Sequence, residues 1–297
     1  MPLRFKADRR TLVYMAVTTV LLFVQWNLRS FNIPLYVLGL FMAISVAVIA
    51  HNHNHLPIWR TKILNTLTDY WLTLFYGFPA FAWIPTHNTN HHKLNNKEGD
   101  YTITYRVSEK NNLLTLLIYP SISSYFQQKP IRDYLKMLRE KDKKKFYLAA
   151  GQYVALVALY AIALFIDWKK ALIYIAIPHQ VSLFSVLIFN YVQHVHADEE
   201  SEYDHSRNFT GFLNTMLFNN GYHTIHHERA GIHWSETPAA HAKIAHTISP
   251  ELMEKSFWGY ITRVYIVGIV SKKHRTESRR LQRLEKVKEV KLQEELA

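Results

Sequence analysis

The chain has 297 residues, a net charge of +12, 49% apolar residues and no cysteine. The lack of cysteine excludes structural disulfides, iron–sulfur clusters, thiolate-ligated haem and a fused rubredoxin-like donor, so any metal must be held by His, Asp, Glu or Asn. The positive charge does not argue for a nucleic-acid partner, because the basic residues gather beside the ends of long apolar runs, where membrane topology places them.

Four such runs, 11–28, 30–50, 146–166 and 171–190, are each long enough at about 1.5 Å per residue to cross most of a ~30 Å hydrocarbon layer. The first follows Arg4, Lys6, Arg9 and Arg10, is too long for a signal peptide and has no cleavage site after it, so it is expected to remain as an anchor. Only Arg29 marks the link to the second run. A fifth run, 63–84, is interrupted by Asp69, Gly77 and Pro79 and reads as interfacial or re-entrant. Residues 129–145 carry eight Lys or Arg against three acids, which fits positive-inside topology and would also suit an acidic carrier. Asp167, Lys169 and Lys170 form the short link between the third and fourth runs.

Residues 252–270, apolar but carrying Arg263, suit an amphipathic helix. Residues 272–297 lack Gly and Pro and place Leu281, Leu284, Val287, Val290 and Leu292 among charges, the pattern of an exposed helix. The expected fold is therefore all-α: a multi-pass membrane protein with four transmembrane helices in two hairpins and both termini cytosolic. A cytosolic helical cap is expected from 51–145 and 191–271. Residues 1–271 then form one membrane domain and 272–297 a charged C-terminal helix.

The 17 histidines are mostly grouped, and both predicted hairpins end in them. His51 and His55 are four residues apart, on one helix face, where they can share a metal, while His53 points elsewhere. His87, His91 and His92 follow the same logic with one extra residue. Asn190 and His194 lie where the fourth run ends. His223 shares a face with His226 or His227, and that adjacent pair splays by about 100°, so each can serve a different metal. Nine imidazoles at ligand spacing near lipid are costly unless paired, which favours a metal site over solvated decoration. By ligand softness such a site suits Zn, Fe, Cu or Ni. A metal transporter would place ligands inside the spans, where only His179 stands, beside Pro178. No HExxH zinc-protease motif is present.

These boxes resemble those of the membrane fatty acid desaturase superfamily, over about residues 40–245. His51-Asn-His-Asn-His55 looks like its HxxxH box and His223-Thr-Ile-His226-His227 like its last HxxHH box. The Pro-containing stretch His233 to Pro238 is similar to the one that follows that box in bacterial members. Asn190-Tyr-Val-Gln-His194 resembles the NxxxH element, in which the histidine is a ligand and the asparagine holds a water on the iron. His87-Asn-Thr-Asn-His91-His92 departs from HxxHH and is similar to the second box of alkane ω-hydroxylases.

The resemblance implies two Fe ions held by His51, His55, His87, His91, His92, His194, His223, His226 and His227, with Asn190 acting through a water. It implies O2 as co-substrate, electrons from a ferredoxin- or rubredoxin-like donor, and an acyl or similar lipid chain, free or linked to acyl carrier protein or coenzyme A. Desaturation is the expected reaction, with hydroxylation as the alternative. The expected location is a bacterial inner membrane. Carboxylates should orient the rings through their second nitrogens. Asp69, Glu98, Asp100, Asp198, Glu199, Asp204, Glu228 and Glu236 are candidates, with Asp100 and Asp198 preferred for their closeness to a box.

Overall fold

The computed structural model describes residues 2–296. It is all-helical; the only strands among the described residues are Asn208–Phe209 and Met253–Glu254, which pair in parallel. The chain divides into two compact units, Met1–Thr89 with Gln127–Leu187, and Asn90–Phe126 with Ile188–Ala297.

In the first unit, helices form at every predicted apolar run. Two helical tracts, Ile33–His55 and Lys143–His194, are long and apolar enough to cross a membrane. The run at 11–28 forms the helix Arg9–Asn27, but Arg9, Arg10, Gln25 and Asn27 at its ends lower its apolarity below the same standard. The long tract is interrupted at Asp167, whose backbone leaves the helical region (φ −159°, ψ 97°). The Asp167 carboxylate accepts from the amides of Lys169 and Lys170, both at 3.1 Å, and so caps the helix that follows.

The interrupted fifth run breaks where its sequence indicates. The helix Lys62–Tyr76 ends at Gly77, which takes a left-handed φ of 83°. A Cβ there would lie 2.4 Å from the Cβ of His179, so both the backbone and the close approach require glycine. The amides freed after the break are recovered by side chains. Thr73 Oγ1 accepts from Ala80 N at 3.1 Å, and Gln152 Oε1 accepts from Phe81 N and from the Thr73 hydroxyl, each at 3.1 Å. His179, buried in its helix, lies 2.9 Å from the Tyr160 hydroxyl and 2.9 Å from the carbonyl of Leu74. That histidine is thus satisfied by structural partners.

In the second unit the end of the helix Ile177–His194 is capped by a buried cation. Arg207 donates to the carbonyls of Val192 and Val195 at 2.8 and 3.1 Å and lies 4.7 Å from the Tyr260 ring centre. A guanidinium at a helix C-terminus satisfies orphan carbonyls and complements the helix dipole. Residues 252–270 do not form one amphipathic helix: Met253–Glu254 is a strand, and helical structure occupies Phe257–Val270 with a π-helical middle, Thr262–Val267. The charged tail forms the helix Arg279–Leu296. Its first turns are fixed by ion pairs of Arg279 with Asp204, Arg280 with Glu199 and Glu109, and Arg283 with Asp198 and Glu199.

Candidate metal centre

Within the first unit, His51 and His55 stand on one face of the last helical turns of Ile33–His55, as their spacing predicts. His87 joins them: ring centres are 4.8 Å apart for His51 with His55, 4.8 Å for His51 with His87, and 5.0 Å for His55 with His87. Trp83 packs edge-on to His51 and His87 at 5.4 and 5.1 Å. The Asn52 carboxamide oxygen lies 3.1 Å from His51 Nδ1, which leaves Nε2 toward the trio. His53 indeed points elsewhere: its Nδ1 accepts from Ile58 N at 3.2 Å and its Nε2 is 3.4 Å from Asp69.

His87 and His91 belong to an eight-residue π-helix, Ile84–His91. A π-helical turn takes up about one residue more than an α-helical turn, and such turns occur often at functional sites. This is how the longer HxxxHH spacing is accommodated.

Within the second unit, His91, His194, His223 and His227 bring four ligand atoms to within 4.8 Å of one another. His194 Nε2 lies 2.9 Å and His227 Nε2 3.2 Å from His223 Nε2. The Nδ1–H of His194 donates to the carbonyl of His205 at 3.2 Å, so its Nε2 carries a lone pair toward the cluster. Converging imidazole nitrogens repel one another unless a cation or a proton sits among them, and the set suits an imidazole-preferring divalent metal. His92 and His226 make a second contact, with ring centres 4.6 Å apart, and His92 stacks on His227 at 4.4 Å. The rings of the adjacent pair His226 and His227 lie 5.9 Å apart with their planes at 77°, and it is His227 that joins His223 in the quartet.

A continuous hydrogen-bond network lies behind His91. Asp100, wholly buried, lies 2.8 Å from His91 Nδ1 and accepts from the amides of Asn96 and Thr102 at 2.8 and 2.7 Å. Burial works against its ionisation, but the neighbouring His91 and the Thr102 hydrogen bonds outweigh that and hold its pKa below the ordinary carboxylate value. An ionised Asp100 accepts a hydrogen bond from Nδ1–H of His91 and so leaves the Nε2 lone pair of that ring facing the cluster. The Thr102 carbonyl accepts from Tyr119 at 2.7 Å, and the Tyr119 hydroxyl accepts from Asn190 Nδ2 at 2.6 Å. Asn190 is thereby tied to the same loop as Asp100. Burial pushes the pKa of His227 well below the usual imidazole value, reinforced by neighbouring histidines, so its ring is neutral at physiological pH.

Asp198, the other preferred carboxylate, meets no imidazole; it pairs with Arg283 at 2.7 Å because the C-terminal helix packs its arginines against the 198–204 loop. Glu199 and Asp204 are engaged by the same helix. His196 is also held away from the cluster, 2.8 Å from the Glu109 carbonyl and 2.7 Å from the Thr276 hydroxyl. Sequence reasoning missed His205, which is buried with its ring 5.6 Å from His227 and 3.4 Å from the Glu228 carboxylate. No helical spacing links it to a box. Thr102 and Tyr119 carry no signal either.

The fold and these clusters define an all-helical protein with two groups of histidines that could hold metal. Residues 30–259 match the family model for fatty acid desaturase, which covers most of the chain, and the chain belongs to that family. Comparison with curated proteins and with solved structures gives no match.

Proposed function

We propose that this protein is an O2-dependent di-iron desaturase that introduces a double bond into a fatty acyl or similar lipid chain. The observation that carries the reading is the quartet His91, His194, His223 and His227, the first three buried and the last partly so, in a chain of this family, with Asp100 fixing one ring. That quartet would hold one iron. His51, His55 and His87, together with His92 and His226, are the ligands left for the other, an assignment that rests on the family's boxes. When bound, the iron pair supplies the reduction of O2 to an oxidant able to take hydrogen from an unactivated carbon. The protein's own part is to hold the imidazoles neutral and oriented: Asp100 accepts a hydrogen bond from Nδ1–H of His91, the His205 carbonyl accepts one from Nδ1–H of His194, and burial excludes water. Asn190, fixed through Tyr119, would place a water at the metal.

The four apolar runs would form two membrane hairpins with both termini cytosolic, in a bacterial inner membrane. A small ferredoxin- or rubredoxin-like protein would supply electrons. The acyl chain would be presented free, as a lipid, or on a carrier. Hydroxylation of an alkyl or acyl chain is the second reading, supported by the HxxxHH spacing of His87, His91 and His92, which is similar to the second box of alkane ω-hydroxylases.

Metal analysis of the purified protein, paired with mass spectrometry of lipids from an expressing host, tests both. Two irons and a new double bond are expected. Two irons and a new hydroxyl group select the second reading, and protein without bound metal from iron-replete cells overturns both.

A further inference from the structure

Lys129, Arg132, Lys136 and Arg139 recur at steps of three and four residues along the helix Leu113–Lys141, and all are exposed. That spacing aligns them on one side of the helix over about 15 Å. Lys129 pairs with Asp133 at 2.6 Å, and Arg132 and Lys136 also act on that carboxylate; with the exposed Glu140 this side carries four cations against two acids, a net positive stripe. The opposite side of the helix is committed inward: Ile131 and Leu138 share a core with Phe81, Ala82 and Ala149, and Tyr134 stacks on Phe81 at 6.2 Å. Two residues beyond Phe81, Trp83 packs on His51 and His87. The cationic side therefore backs onto the segment that leads into the histidine trio.

Positive-inside topology explains how many cations lie near a span, but it does not require them to share one side of a helix. The consecutive Lys143, Lys144 and Lys145 show no such register. A helix lying on a bilayer needs an apolar face to insert, and over residues 129–141 that face is packed on protein. Exposed aromatic side chains flank the stripe, Tyr125 and Phe126 one turn before Lys129 and Tyr147 beyond Arg139, but no large apolar side chain within it is exposed. A cationic surface with exposed aromatics only at its margins suits a brief encounter of the kind redox partners make.

We propose that this stripe docks the electron donor, a small protein with an acidic face and its own one-electron centre. The inference rests on the oxidase reading above, under which a chain with no cysteine must receive its electrons from outside. Two dockings deliver two electrons. With two protons, O2 and a –CH2–CH2– unit, they yield –CH=CH– and two waters. Hydroxylation consumes the same two electrons and two protons and yields one C–OH and one water, so the docking surface serves either reaction.

The test uses the full-length, iron-loaded protein in bilayer discs, with an acidic [2Fe–2S] ferredoxin as donor or dithionite as chemical reductant. A variant with Arg132→Glu, Lys136→Glu and Arg139→Glu should raise the KM for ferredoxin by about tenfold or more and flatten the salt dependence of the ferredoxin rate. Its iron content and its reduction by dithionite should match the wild type. Ferredoxin binding to metal-free protein, measured by calorimetry, should weaken in parallel. A second variant with Lys143→Glu, Lys144→Glu and Lys145→Glu should leave the ferredoxin KM within about twofold, since that run lies outside the stripe. An unchanged ferredoxin KM in the first variant overturns the proposal. So does a loss seen only in discs of anionic lipid, or only with carrier-linked substrate. Wild-type protein that dithionite reduces without any O2-dependent product overturns the oxidase reading itself.

Discussion

The two histidine clusters are built in different ways. The trio His51, His55 and His87 takes two histidines from regular α-helical turns and His87 from the π-helix Ile84–His91, and the neutral carboxamide of Asn52 faces His51 Nδ1. The quartet His91, His194, His223 and His227 takes two histidines from the last residues of their helices and two from a six-residue helix, and a buried carboxylate, a threonine and a tyrosine hold its His91 side in place. The register of a long helix can orient ligands cheaply, whereas ligands at helix ends and on a short helix must be fixed by hydrogen bonds, each with its own desolvation cost.

The largest effect should come from the quartet's centre. His223→Ala removes the imidazole that both His194 and His227 face, and it should cost the iron of that cluster and bring activity to background while the protein still expresses. Retained iron with full activity would show the quartet to be dispensable. Asp100→Asn comes next. It replaces an acceptor that is held ionised with a group that can offer an N–H to His91, so iron affinity should fall by about 10- to 100-fold. The matching change in the trio, Asn52→Ala, should cost several-fold less. Equal losses, read by competition with a metal chelator, would erase the distinction between the clusters.

Gly77→Ala probes the packing beneath the trio. The substitution forces a Cβ onto the His179 side chain at a left-handed backbone position, and it should lower stability by about 2–4 kcal/mol. A melting temperature unchanged from wild type would mean that the helix end at Tyr76 can relax. Serine should be tolerated no better, because the clash is with Cβ itself.

Part of the trio was open to sequence reasoning because it depends on spacing: His51 and His55 share a helix face, and Gly77 with Pro79 marks the break between apolar segments, but that His87 of the second box joins them was not. The quartet was legible only as a set of candidates. Which of His226 and His227 would join His223 depends on how a six-residue helix is rotated against its neighbours, and spacing alone leaves both open. Asp100 could be chosen for its closeness to a box, but the same argument favoured Asp198, whose partner Arg283 lies 85 residues away. Four helices occur at the four apolar runs, yet the polar ends of Arg9–Asn27 keep it below the standard of a clear span. Such outcomes follow from long-range packing, which leaves no periodic trace.

The smallest expected effect is on stability against pH, and it falls on the quartet's surroundings. Burial lowers the pKa of His205 to about 4 and lowers that of His227 as well, while both rings titrate near 6.5 in the unfolded chain. Above pH 6.5 both states hold the rings neutral, so the folded metal-free protein has its full stability there. As the pH falls below 6.5, the unfolded chain takes up protons that the folded one refuses, and the balance shifts toward unfolding until the pH reaches the folded pKa. For His205 alone the loss between pH 7.5 and pH 5 should be about 2 kcal/mol. Glu228, 3.4 Å from His205 Nε2, would reduce this if it moved closer on protonation of the ring. Thermal melts of metal-free protein at the two pH values read the effect directly. His205→Gln should flatten the slope, while Asn52→Ala beside the trio should leave it unchanged. A melting temperature that rises toward pH 5 would show that the quartet's surroundings are wetter than their burial implies, and that its rings do not depend on being kept neutral.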